Sequence, residues 1–549
     1  MTGARSPTAG RRLRFGVVGA LVGLAALARL PLVHRPLSAD EGGFLAVAAQ
    51  WSPGRSLYGN YWVDRPPLLI AFFGVADRLG GAVGLRLLGL LAVLASILLA
   101  AAVGAVAADL DGWRRTPSSG LAAAVTATIL LVSPLSGAEE VDGELVAVPL
   151  VLLGTLLVLL AAREPRGRRR LALLLAAGAT GAAAALVKQN VVDVGVLLVV
   201  AALTLLPHDR VRTVLSHLAV AAAGALAMLA VVVGWAASRG TSPAGLFDAV
   251  VTFRLQADQV ISRSASAATT LRLHRDLKAL LLSGAPLGAL AFVVTARRRG
   301  ARPASRLRAP AAAVLAWECV AALAGGSYWN HYLVGLVPGL VLCVGVAAPR
   351  ASVGPVGRRL LVGGLGYATV VATLAVLRVA TATHTTTDQP LAAWLDEHDR
   401  AGDSLVVAFG HADLHATTGL PSPYPELWSL PVRVRDPRLA GLTRVLDGPR
   451  RPTWLVTGPT LQLWALHPLA AERAVARHYR PVGLLGGRFR VYRARAGLRH
   501  RPICADSATF GGPSAPTRRP ARTSPSGWAC RRPSAGPGRR CPAAAVPRR

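Results

Sequence analysis

PLSADEGGFLAVAAQWSPGRSLYGNYWVDRPPLL, residues Pro36 to Leu69, is the stretch on which the reading of this chain turns. It follows an apolar run long enough to cross a bilayer, yet it carries Asp40, Glu41, Asp64 and Arg65 with few other charges nearby. After Asp40-Glu41, the segment GGFLAVAAQW has the apolar content of a short helix lying at a membrane surface. Pro66-Pro67 then ends any helix and sets extended backbone ahead of the next apolar run. Acidic and basic points are thus expected at a lipid–water boundary, on backbone stiffened by proline. Ionisable groups are costly there, so a functional role is the first reading. An ordinary charged loop between two spans is the alternative.

Composition sets the class. Of the 549 residues, 52 % are hydrophobic and only 16 % charged, whereas water-soluble domains carry about a quarter charged residues. This is the profile of a multi-span membrane protein. The net charge of +33 gathers in short basic loops between apolar runs, a pattern of membrane topology that argues against nucleic acid as a partner. The five cysteines form no Cys-x-x-Cys pair and no metal-ligand spacing. Arg11, Arg12 and Arg14 precede the first apolar run, which ends in LPLVHRP without a small-residue cleavage site. It reads as an uncleaved span rather than a signal peptide.

Apolar runs near 15–33, 82–108, 119–137, 145–162, 171–187, 190–206, 213–236, 277–296, 309–325, 332–348 and 359–381 predict about eleven transmembrane helices. Basic loops at Arg114-Arg115, Arg163 to Arg170, Arg210 with Arg212, Arg297 to Arg308 and Arg350 to Arg359 place the N-terminus in the cytoplasm of a multi-pass plasma-membrane protein. The polar interruptions then all fall on the opposite side. They are the outer loop 34–81, the acidic connection Glu139, Glu140, Asp142 and Glu144, then Lys188-Gln189-Asn190, and finally Tyr328-Trp329-Asn330-His331-Tyr332. A catalytic chamber at the outer face predicts that segregation. The long outer connection 237–276 carries an amphipathic helix near 244–261, with Arg254 and Asp258 between its apolar residues. It reads as a mobile acceptor-side loop or as a connector resting on the bilayer.

From Thr383 the composition becomes that of a soluble, extracytoplasmic α/β domain over 383–497. A helix is expected over Asp388 to Gly402, and strands at 404–410, 453–458 and 488–494. His411, Asp413 and His415 follow the first strand in a metal-like spacing, though such a pair in a polar loop is more often plain surface. Tyr424 to Trp428 reads as an aromatic lip or a packed turn. Residues 498–549, basic and rich in proline and arginine with almost no aliphatics, cannot build a core, and disorder is expected.

Asp-Glu, an aromatic, a small-residue helix, a Gly/Tyr-containing turn and then Asp64-Arg65-Pro66-Pro67-Leu68 resemble the first outer loop of the GT-C glycosyltransferases. The likeness is to the branch holding protein O-mannosyltransferases and lipid A aminoarabinose transferases, where the spelling is Glu-Lys-Pro-Pro-Leu. The resemblance implies a mainly α, GT-C-like transmembrane domain over 1–382. It also implies an enzyme that moves a sugar from a polyprenyl-phosphate donor to an extracytoplasmic acceptor such as a cell-envelope glycan, lipid or protein.

Such a transfer needs a carboxylate for the acceptor's proton, cations for the departing phosphate and an apolar groove for the prenyl chain. Asp40 is the candidate base, the role the matching family aspartate holds, with Glu41 and Asp64 as its supporting acids. Arg65 is the candidate phosphate ligand, since a guanidinium grips oxygens in pairs. Lys188 is a second candidate cation or a lysine snorkelling to the interface. Gln189, Asn190, His331 and Tyr332 are candidate substrate contacts, with aromatic anchoring as the alternative for Tyr332. No residue set demands a metal cofactor. Glu139 to Glu144 offers room for a divalent ion, against solvated negative charge. A single base without a nucleophile fits direct displacement with inversion. A transporter or flippase of lipid-linked sugars, or a non-catalytic envelope-assembly protein, stays as the alternative.

Overall fold

The computed structural model describes residues 7–113, 118–165, 167–206, 211–263, 267–297, 304–351, 354–381, 388–462 and 466–495. The expected 498–549 tail and the 382–387 connection lie outside the described residues. Each of the eleven apolar runs coincides with a helix. They are Pro7–Arg29, Ala82–Leu110, Ser118–Val132, Gly143–Arg163, Arg168–Val187, Asp193–Thr204, Val211–Ser238, Ala285–Thr295, Arg308–Ala324, Val337–Ala351 and Gly364–Thr381. Among the described helices six are long and apolar enough to cross a membrane, or seven if the pair Ala267–Leu282 and Ala285–Thr295, bent by 59°, is one span. Gly16–Leu32, Ser118–Val132 and Asp193–Thr204 are apolar but shorter. Ser118–Val132 stops early because Ser133-Pro134 breaks the ladder, Ser133 turning its side chain onto the Leu135 N–H instead.

The helices sort their apolar residues into two sets. Val93, Ile97, Val103, Leu152, Leu159 and Val341 are buried between helices. Leu91, Leu98, Leu226, Val231, Val370 and Leu374 are exposed, the face that a helix presents to lipid tails. Small residues let the backbones close up. Gly178 lies on the Ala221 backbone and Gly224 on Leu175, where a Cβ would collide. That is the contact expected where packing, rather than hydrophobicity, holds helices together.

The outer loop folds into two helices. Ala39–Ala49 begins with a capping box. The Ser38 hydroxyl accepts from the Glu41 N–H, and the Ser38 N–H donates to Glu41 Oε2 at 2.9 Å. Pro67–Arg78 is an apolar helix that the span reading did not include. Pro66 is its extended N-cap and Pro67 its first residue, the position where a missing N–H costs nothing.

The C-terminal segment forms a four-stranded sheet: β1 (Leu405–Ala408), β2 (Trp454–Thr457), β3 (Tyr479–Leu485) and β4 (Phe489–Ala494), in the order β1-β2-β4-β3. β1 and β2 are parallel, and the other pairs antiparallel. β3 escaped the sequence reading because it carries Pro481 and Gly483, a bulge between them, and little burial, as an edge strand tolerates. Helix Gln389–His398 packs Leu391 and Leu395 under the sheet.

This segment sits directly on the outer loop. The Trp62 N–H donates to the Pro425 carbonyl at 2.9 Å, and the Ser422 N–H donates to the Tyr61 hydroxyl at 2.9 Å. Gly42 lies against the Asp413 backbone and Gly43 against Trp428 and Ala412, too close for any Cβ. The Gly-Gly pair after Asp40-Glu41 is therefore a docking surface.

Candidate active site

Asp40 and Glu41 occupy successive positions in the first turn of Ala39–Ala49 and end in opposite environments. Glu41 is 1 % exposed. Arg86 of the Ala82–Leu110 helix donates to both of its oxygens, at 2.8 Å for Oε2. The Val141 N–H adds a bond to Oε1 at 2.7 Å. Each oxygen thus holds two donors, and the side chain anchors the outer helix to the bundle and to the acidic connection. Asp40 is only half-buried, and one of its oxygens accepts from Trp428 Nε1 at 2.8 Å. Among the described residues its second oxygen makes no hydrogen bond.

Asp64 lies between two guanidiniums. Arg65 Nη1 reaches one oxygen at 2.6 Å and Arg254 Nη2 the other at 2.6 Å. Burial alone would raise the Asp64 carboxyl, but Arg254 and Arg65 outweigh it and hold it below the usual carboxylate range. Burial also works against the charge of Arg65. Asp64, Asp40 and Asp142 oppose that, and the net direction is upward. Two cations thus share one carboxylate, leaving a net positive charge beside Asp40. The Arg65 carbonyl accepts from the Tyr58 hydroxyl at 2.6 Å, and its guanidinium lies 5.4 Å from the Phe44 ring centroid. The first contact ties the residue to the loop after the outer helix, the second to the helix itself.

Lys188 closes a second side. Its ammonium pairs with Glu144 and stands 4.7 Å from the Tyr332 ring centroid, while the charges of Arg65, Asp142, Arg254 and Asp40 act on it. Gln189 donates to the Asp64 carbonyl at 3.2 Å, and the Asn190 carbonyl accepts from Trp317 at 3.3 Å. His331 Nδ1 is 3.2 Å from Asp142 and 3.8 Å from Glu140. Glu140, Asp142 and His331 offer donor atoms within 4.8 Å of one another, a spacing that fits a divalent ion.

The structure brings Asp40, Asp64, Arg65, Lys188 and Tyr332 within electrostatic reach of one another. Glu41 stands apart, enclosed by Arg86. The sequence reading missed two members. Arg254 belongs in sequence to an amphipathic surface helix, and its one signal there is an arginine lodged between Phe253 and Leu255 in an outer connection. Trp428 belongs in sequence to an aromatic lip or a packed turn, and nothing local joins it to Asp40, 388 residues away.

This constellation sits at one end of a helical bundle capped by a small sheet domain. ArnT from Cupriavidus metallidurans has this fold: its structure bound to undecaprenyl phosphate superposes with a TM-score of 0.59 at 17 % identity, covering 88 % of this chain and 98 % of that one. Its apo structure gives 0.59 at 15 % identity, over 87 % and 98 %. The archaeal oligosaccharyltransferase AglB from Archaeoglobus fulgidus, in complex with an inhibitory peptide and a dolichol-phosphate, gives 0.45 at 12 % identity, over 84 % and 72 %. No protein-family model matches the sequence, and no curated protein matches it.

Proposed function

We propose that the protein is an integral membrane glycosyltransferase that moves a sugar from a polyprenyl-phosphate carrier to an extracytoplasmic acceptor. The observation that carries this reading is the pairing of a half-open carboxylate, Asp40, with the clustered cations Arg65, Arg254 and Lys188. It is supported by a fold shared with ArnT, which was solved with undecaprenyl phosphate. The N-terminus is cytoplasmic, the C-terminal sheet domain is outside, and residues 1–382 and 383–497 act as membrane and soluble parts.

In the reaction, an acceptor hydroxyl gives its proton to Asp40 as its oxygen forms a bond to the anomeric carbon. The bond from that carbon to the phosphate oxygen breaks, and the electron pair leaves with the polyprenyl phosphate. Arg65, Arg254 and Lys188 stabilise the charge that appears there. Attack and departure on opposite faces invert the anomeric centre. Trp428 and the capping box position the base. Asp64 holds the two guanidiniums, and Gln189, Asn190, His331 and Tyr332 line the substrate side.

The test is purified protein in lipid with a polyprenyl-phosphate sugar, following donor binding and sugar release separately. Salt-sensitive binding of the polyprenyl phosphate, with a measurable transfer or slow hydrolysis of the sugar, is the expected result. Binding that is indifferent to removing both Arg65 and Arg254 would overturn the assignment.

A further inference from the structure

A second charged cluster lies in the C-terminal domain. Asp388 precedes helix Gln389–His398, His411 follows β1, and Asp413 opens helix Asp413–Thr418. His411 Nδ1 is 2.7 Å from Asp388 Oδ2, and the three residues offer donor atoms within 4.8 Å of one another. Asp413 is 5 % exposed and Asp388 9 %. Each keeps one carboxylate oxygen, Oδ1, buried without a hydrogen-bond partner. Two buried carboxylates face one imidazole, and carboxylate oxygens buried without a donor are costly. Asp388 and Asp413 also line a groove of about 2470 Å³ between the outer helix and the sheet domain, so the cluster can be reached from solvent. His415, the third residue of the motif, takes no part. It is buried, with its Nδ1 3.0 Å from the Leu420 carbonyl.

The geometry points to Asp388, His411 and Asp413 as a binding site for a divalent metal ion of the zinc type. One imidazole nitrogen and two carboxylates are a donor set that zinc accepts, with a fourth position left to water from the groove. Hard cations such as magnesium prefer all-oxygen, six-coordinate surroundings and suit this site less. The ion would join three segments: the first residue described after the 382–387 connection, the loop after β1, and the helix whose first residue packs on Gly42. It is thus a positioning device, fixing within the sheet domain the segment that packs on the helix carrying Asp40.

The test uses the full-length protein in detergent, stripped with a chelator and titrated with zinc by calorimetry, with metal content read by mass spectrometry. Wild type is expected to bind one equivalent more than H411Q and one more than D388N, and the thermal midpoint is expected to rise with zinc by more in wild type than in either variant. Magnesium at the same concentration should not reproduce the rise. Counting the difference between wild type and variant separates this site from Glu140, Asp142 and His331, which both variants retain. D413N, nearly isosteric, repeats the measurement at the buried ligand. Equal zinc stoichiometry in wild type, H411Q and D388N would overturn the site, as would a wild type that binds no zinc. Neither result depends on glycosyl transfer.

Discussion

The molecule treats buried carboxylates in two contrasting ways. In the outer loop one carboxylate, Asp64, is shared by two guanidiniums, and Glu41 is enclosed by Arg86 and backbone donors. In the sheet domain two carboxylates, Asp388 and Asp413, face a single histidine and keep unpartnered oxygens. The first pattern leaves positive charge to spare and suits an incoming phosphate. The second leaves buried carboxylate oxygens without donors and suits a cation. The residue types are the same, so the difference lies in what surrounds them.

The neighbouring pair Asp40 and Glu41 tests this contrast with the largest expected effects. Asp40→Asn keeps the bond from Trp428 but removes the proton acceptor, so turnover should fall by ~10²–10⁴-fold with donor binding little changed. Wild-type turnover in that variant would move the base elsewhere. Arg86→Met should act on the fold instead. It strands the Glu41 carboxylate in a buried position, and breaking one side of such a pair costs about 3–5 kcal/mol. Thermal unfolding in detergent reads this as a lower midpoint. An unchanged midpoint would mean that Glu41 does not anchor the outer helix to the bundle.

These two outcomes also show what the sequence could and could not reveal. The apolar runs were legible as helices because a helix satisfies its backbone internally. How many of them span was not, since only six of the described helices, or seven with the bent pair, are long and apolar enough. Asp40, Asp64 and Arg65 were legible as charges in a loop where charges are costly. The roles of Asp40 and Glu41 were not separable, since Arg86 is a lone arginine inside an apolar run and its partner lies 45 residues earlier. Arg254 and Trp428 reach the site through long-range packing, which local periodicity does not encode. β3 was hidden by its own proline and glycine.

A smaller effect is expected at the guanidinium pair. Arg254→Ala removes one charge-assisted contact, worth about 1.5–3 kcal/mol, so the dissociation constant for polyprenyl phosphate should rise ~10–100-fold. Arg65→Ala should weaken binding similarly, and Arg65→Lys should recover part of the loss, because a lysine keeps the charge without the paired donors. Isothermal titration at two salt concentrations measures both. If Arg254→Ala binds as wild type does, Arg254 only neutralises Asp64.

The smallest effect separates the charge balance of the sheet domain from its docking on the outer loop. Glu426 forms a parallel bridge with Trp62. Burial, then the nearby Asp436 charge, push its carboxyl up to about 7, with Arg435 opposing in part. An unfolded glutamate titrates near ~4.3, so the folded form holds its proton more tightly. The stabilisation from that proton is fully present below about pH 4.3 and is lost as the pH rises through about 7. Glu426→Gln cannot titrate and should remove this part of the decline. Unfolding midpoints of the two proteins, measured from pH 5 to 8, should therefore differ by an amount that changes with pH, the variant gaining on wild type as the pH rises. Parallel curves would show that Glu426 is solvated in the folded protein. The Trp62 bridge would then be a backbone contact alone, with no electrostatic part in seating the sheet domain.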